Sequence, residues 1–299
     1  MFVFASAVTD PDVYARAAAA GVDRLREEDP SIEQIVFASV GSIFRNYNLI
    51  IDQVKDRDDV EALVLIHQDA EIQDPGFVDK VRAALEDPDV AIVGCAGAVD
   101  VRSIAWWEGS ITWASFTHRY DELGGGEIPA FSWMTESLPP YARLGEVDSI
   151  DGFVMALSPW AMHNLRFDES LGQIHGYDFD ICMQARAAGK KVVTADLQVV
   201  HHHSLRLIDN PETWINAYMR VAEKWDEQIP HNGSRDRDWE WRARRAEAEA
   251  SAARLMGGVE ELLRVAHWKQ LDAIQNSLSW RITAPLRRLR QRLAQRRPG

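Results

Sequence analysis

The chain has 299 residues, 46% hydrophobic and 26% charged, with 46 acidic and 33 basic side chains and a formal charge of −13. That length holds one large domain or two ordinary ones, and the negative balance excludes a nucleic-acid partner for the bulk surface. Two cysteines, Cys95 and Cys182, argue for a reduced cytoplasmic protein without a disulfide framework. The start, MFVFASAVTD, lacks the basic and long apolar regions of a signal peptide, and no apolar run reaches the about 18 residues of a membrane span.

The first hundred residues alternate between two patterns. Phe2 to Ala5 reads as a strand. Asp10 to Arg26 reads as a helix, with Asp10 as N-cap and Pro11 in the first position. A strand at Ile35 to Ser39 and a helix at Phe44 to Lys55 follow. Ala62 to Ile66 is an apolar run of the kind buried strands show, and it ends abruptly in His67-Gln68-Asp69. Asp74-Pro75 starts a helix to about Leu85, and Val90 to Cys95 is a further strand. Strands alternating with helices predict a mainly parallel sheet with helices on its faces.

Residues 101 to 147 break the pattern, with Trp106, Trp107, Trp113, Trp133 and a Gly124-Gly125-Gly126 run. They read as a loop-rich insertion with room for short strands. Gly152 to Leu157 is a strand, Asp178 to Ala188 a helix ended by Gly189, and Lys191 to Ala195 and Gln198 to His202 are short strands. From Asp209 the chain turns helical. One helix begins at Pro211 and runs to about Trp225, Pro230 to Asp236 is a linker, and an amphipathic helix over Trp239 to Leu278 is interrupted near Gly257-Gly258. Arg281 to Gly299 holds seven arginines and no acid. This divides the chain into 1–208, a helical extension at 209–280 and a basic tail at 281–299. The tail reads either as a basic helix on anionic lipid, at the inner face of a membrane, or as a solvated segment.

Polar residues at the carboxyl end of a buried strand sit where open α/β sheets bind ligands. The ordered set His67-Gln68-Asp69, then VDSIDG at Val147 to Gly152, FDE at Phe167 to Glu169, GYDFDIC at Gly176 to Cys182 and HHHS at His201 to Ser204 resembles inverting family 2 glycosyltransferases of the GT-A fold. It is most similar to a group named after a streptomycin-biosynthesis protein. The resemblance covers roughly residues 1 to 225, and NSLSWRITAPLR, from Asn276, is similar to the tails of bacterial glycan-assembly transferases.

The resemblance implies a Rossmann-like mixed sheet with a C-terminal helical extension. It also implies a nucleotide-sugar donor, a glycan, glycolipid or small-molecule acceptor, and Mn²⁺ or Mg²⁺. Asp69 matches the last carboxylate of the family's Asp-x-Asp metal motif, while His67 stands where a carboxylate is usual. Asp178 matches the general base, with Tyr177 in place of the usual Glu. Asp151, Gly152 and Tyr177 fall in the acceptor region, and His67, Gln68, Asp69, Arg102 and Trp107 in the donor region. His202 matches the family's supplementary metal ligand and His203 is the second choice. Three adjacent histidines cannot all face one ion on a strand, because side chains alternate. Asp180 reads as structural, and Asp148 as a loop cap or a site residue. A nucleotidyltransferase would show a Gly-rich basic loop near the start, which ASAVTDP, from Ala5, lacks. A degenerate sugar-nucleotide scaffold is the non-enzymatic reading. Oligomeric state stays open, with the helix around Leu255 to Leu278 free to pack at home or on a second copy.

Overall fold

A computed structural model describes residues 1–39, 41–109, 111–120, 127–129, 145–203, 210–225 and 237–285. Gly124 to Gly126, Trp133, the linker at 230–236, the tail beyond 285 and the His203 side chain lie outside what is described.

The chain opens with β1 (Phe2–Val8), α1 (Pro11–Arg16), α2 (Ala18–Glu28), β2 (Glu33–Ala38), α3 (Ile43–Val54) and β3 (Ala62–Ile66). Next come β4 (Ala70–Ile72), α4 (Phe77–Ala84), β5 (Val90–Gly94) and β6 (Ala96–Val99). A 3-10 turn at Trp106–Glu108 leads into β7 (Ile111–Ala114), β8 (Phe116–Tyr120), β9 (Glu127–Pro129), β10 (Gly145–Val147) and β11 (Ser149–Ile150). Then follow β12 (Val154–Leu157), α5 (Pro159–Asn164), α6 (Tyr177–Ala187), β13 (Lys191–Thr194), β14 (Val199–His203) and α7 (Pro211–Lys224). The helices α8 (Arg237–Asn276) and α9 (Leu278–Ile282) end the described chain.

Among the described residues a seven-stranded sheet has the order β10-β13-β5-β12-β3-β1-β2. Strands β1, β2 and β3 are mutually parallel, as are β5 and β13, while β12 runs antiparallel to both β3 and β5. The carboxyl ends of β1, β2, β3, β5 and β13 therefore share one edge with the start of β12. This is the mixed, mainly parallel sheet that a GT-A fold requires. The apolar runs form its centre: β3 and β5 are buried along their whole length, as expected of strands covered on both faces. Two smaller sheets, β11-β6-β7 and β4-β14-β8-β9, are built around the same edge.

The helices follow their local chemistry. Asp10 accepts from the Asp12 and Val13 amides and Pro11 occupies the first turn, as expected. The single helix expected over residues 10 to 26 is instead two, split at Ala17. There the Ala18 amide turns out of the ladder to the Gln68 carbonyl, 3.4 Å away. The expected break at Gly257-Gly258 is absent and α8 is continuous. An interior glycine weakens a helix by about 1 kcal/mol but, unlike proline, removes no hydrogen bond. The chain divides into compact units at Met1–Ala252 and Ala253–Gly299. The boundary expected at 208/209 thus falls inside the first unit, because α7 buries Trp214, Ile215, Ala217, Tyr218 and Val221 in the core.

Candidate active site

The sheet edge collects the polar residues that the apolar strands cannot absorb. At the end of β3, the His67 amide bonds the Phe153 carbonyl at 2.9 Å, so the residues before β12 sit beside those after β3. Antiparallel pairing of β14 with β4 sets His201 opposite Ala70, and the His202 amide bonds the Asp69 carbonyl at 2.8 Å. That register decides which histidine enters the site. His201 Nε2 lies 3.5 Å from Asp69 Oδ1, and His67 Nδ1 lies 4.0 Å from the same oxygen. His67, Asp69 and His201 each offer a donor atom, all within 4.8 Å of one another. Among the described residues this is the cluster with metal-binding geometry. His201 is 4% exposed and lies flat on Phe153, with centroids 4.3 Å apart at 13°.

His202, the first choice from sequence, points away. Its Nε2 is 2.7 Å from Glu71 Oε2, and Glu71 also binds Arg24 at 2.9 Å. Burial pushes the Glu71 carboxyl up, but hydrogen bonds from His202 and Arg24 outweigh it and hold it below its ordinary value. Adjacent strand residues face opposite sides, so one residue of register moves the imidazole from the cluster to this ion pair. The sequence pattern contained His201 but not the register that selects it.

Gln68 is also turned elsewhere. Its Oε1 accepts from the Thr9 and Asp10 amides at 2.8 and 2.9 Å, and its Nε2 donates to Thr9 Oγ1 at 3.0 Å. It ties the loop after β1 to the end of β3. Arg102 is exposed on the loop after β6. Trp107 packs edge-on against Trp106 and meets Trp214 of α7. Its neighbour Trp106 reaches the acidic centre, with Nε1 donating to Asp151 Oδ2 at 3.1 Å. The paired tryptophans gave no sign of which one would do so.

Asp178 stands in the first turn of α6. Its Oδ2 accepts the Gly152 amide at 3.1 Å and its Oδ1 the Phe179 amide at 2.9 Å. Those donors and the helix N-terminus favour the ionised form, yet burial, reinforced by the charge of Asp151, pushes Asp178 up to about 7. Burial likewise raises Asp151, against the pull of His201. Two carboxyls that resist ionising together flank Gly152. A side chain at Gly152 would stand 2.5 Å from the Tyr177 hydroxyl, so only glycine fits there. Tyr177 is buried, and its hydroxyl lies 2.7 Å from His67 Nε2. Burial pushes His67 down to about 4, Asp69 opposing and His201 assisting, so its imidazole is neutral at pH 7 and ready as a nitrogen donor.

Asp148 and Asp180 serve the frame. Asp148 takes Arg186 at 2.7 Å and the Val101 amide at 3.2 Å. Asp180 is fully buried and accepts from Gln184 Nε2, Trp225 Nε1 and Lys224 Nζ at 2.8, 2.8 and 2.7 Å.

Comparison with known proteins gives the family. Residues 3–225 match the family described as "Glycosyltransferase like family". The chain is 26% identical over 223 residues to the "Streptomycin biosynthesis protein StrF" of Streptomyces griseus, covering 73% of this chain and 72% of that protein. Among solved structures, GalNAc-T7 with UDP, GalNAc and Mn²⁺ is 9% identical, covering 82% of this chain and 54% of that one, with a TM-score of 0.48. The mannosyltransferase PcManGT of Pyrobaculum calidifontis, with GDP-Man and Mn²⁺, is 12% identical, covering 94% and 81%, with a TM-score of 0.44. At those scores the assignment rests on the sequence match, which spans every strand of the sheet but for the first residue of β1 and every site residue named above: the chain belongs to the glycosyltransferase like family and is a glycosyltransferase.

Proposed function

We propose that the chain moves a sugar from a nucleotide-sugar donor to an acceptor hydroxyl with inversion at the anomeric carbon, and that the transfer depends on a divalent cation. One observation carries this reading. A carboxyl held near neutrality at the head of α6 shares its surroundings with the His67–Asp69–His201 cluster through Asp151 and Tyr177. Direct displacement needs those two parts on opposite sides of the reacting carbon.

The donor set fits a metal: two imidazole nitrogens and a carboxylate. Nitrogen ligands favour Mn²⁺ over Mg²⁺, which prefers oxygen. Held there, the cation would neutralise charge building on the departing diphosphate. Asp178 takes the acceptor's proton, and a base titrating near 7 is matched to that task at neutral pH. Asp151 raises its basicity by charge, and Gly152 lets the substrate approach the backbone. Trp106 and Phe153, both buried, border the site. The acceptor is a glycan, glycolipid or small molecule.

Asp178→Asn tests the reading. It is expected to keep nucleotide binding and to lower transfer by about 10²- to 10⁴-fold. Near-normal turnover would remove Asp178 as base, and absence of turnover by the wild type with any sugar nucleotide and Mn²⁺ would leave a binding scaffold.

A further inference from the structure

His67 and Tyr177 are two positions where the chain departs from the pattern it otherwise resembles, and they touch. They are 110 residues apart in sequence, and the Tyr177 hydroxyl lies 2.7 Å from His67 Nε2. The other imidazole nitrogen, Nδ1, faces Asp69 Oδ1 at 4.0 Å, beyond hydrogen-bond range. Neutral imidazole carries one proton. On Nδ1 that proton would point at the carboxylate without reaching it and would block the lone pair. On Nε2 it has an acceptor, the Tyr177 oxygen, and Nδ1 is left open toward Asp69 and His201.

We propose that Tyr177 is a positioning residue that fixes the His67 tautomer, aiming the Nδ1 lone pair into the His67–Asp69–His201 cluster for a divalent cation. The proposal rests on the metal-site reading above. Ligating histidines commonly give their second N–H to an oxygen that fixes ring and tautomer. Here that oxygen is held on every side. The Tyr177 ring meets Phe44, Tyr47 and Phe167 at centroid distances of 6.0, 5.7 and 6.0 Å. Beneath it lies Gly152, where a Cβ would sit 2.5 Å from the hydroxyl. The ring cannot swing, so its oxygen stays on the Nε2 side. Tyr177 also opens α6 immediately before Asp178, so one residue links the cation's ligand to the base.

The test is Mn²⁺ binding to the full-length chain, followed by the electron paramagnetic resonance signal of the free ion, with no substrate present. Tyr177→Phe keeps the ring and removes the oxygen. It is expected to weaken binding by about 10- to 100-fold at an unchanged melting temperature. In a His67→Ala background the same substitution is expected to change binding by less than about twofold, because its effect passes through His67. Gly152→Ala, which crowds the hydroxyl without touching it chemically, is expected to reproduce the loss. An unchanged affinity in Tyr177→Phe, or an equal loss in both backgrounds, overturns the positioning role and leaves the metal site standing. A wild type that takes up no Mn²⁺ overturns both.

Discussion

Asp178 and His201 carry the proposed chemistry of the site, and each makes a distinct prediction. As the proposed base, Asp178 must be ionised to accept a proton. Its carboxyl is pushed up to about 7, so kcat/KM is expected to rise with pH to about 7 and then level. The same shift affects stability with the opposite sense. The unfolded chain releases this proton at the ordinary aspartate value, about 4, so Asp178 favours the folded state most below that value. That contribution is lost as pH rises through about 7. Relative to wild type, Asp178→Asn is therefore expected to gain melting temperature between pH 5 and pH 8; an unchanged difference would show that Asp178 is not held up by burial. His201 and His202 give the second contrast. His201→Ala is expected to weaken Mn²⁺ binding at least tenfold. His202→Ala is expected to leave it within about twofold while destabilising the fold by about 1 kcal/mol through the exposed edge of its pair with Glu71. Reversal of that order in a metal titration would restore His202 as the ligand.

At the scale of elements, α6 carries the proposed base and two contacts hold it. Gly176 precedes it with φ of 82°, a left-handed conformation, where a side chain would meet Val221 of α7 at 2.8 Å. Asp180, one turn in, joins α6 to the end of α7 through Lys224 and Trp225. Asp180→Ala leaves Trp225 Nε1 without its buried acceptor, while Lys224 keeps Asp168 at 2.7 Å, so it is expected to destabilise the fold by about 2 kcal/mol in urea unfolding. A loss under about 1 kcal/mol would show that the α6–α7 clamp is not structural. Strands β3 and β5 were legible because an apolar run ended by polar residues has few other readings. The register of β14 was not, since it depends on pairing with β4, a three-residue strand with no sequence signature. The split at Ala17 was invisible for a related reason: its cause is a hydrogen bond to Gln68, about fifty positions on. The role of Gln68 itself, bridging to Thr9 and Asp10, escaped for the same reason.

At the scale of the molecule, the family-matched region ends at residue 225, inside the compact unit Met1–Ala252. Parts of α8 before residue 253 belong to that unit, with Ala248, Ser251 and Ala252 buried. In the second unit Trp268, Leu271, Ile274 and Leu278 are exposed, and no described helix is long and apolar enough to cross a membrane. Composition and alternation defined the catalytic sheet because burial on two faces constrains residue type. The burial of α7 could not be read from its own residues, because it is amphipathic in its own right and its burial depends on surfaces supplied by the sheet. The central claim joins a sugar-nucleotide donor to a cation held by His67, Asp69 and His201. Its most direct test is a thermal-shift panel of UDP-, GDP- and dTDP-sugars, with Mn²⁺ or with chelator, on wild type and His201→Ala. The expected result is one donor class that raises the wild-type melting temperature only with Mn²⁺, an increase abolished in His201→Ala. Equal shifts with chelator, or an undiminished shift in His201→Ala, would contradict it.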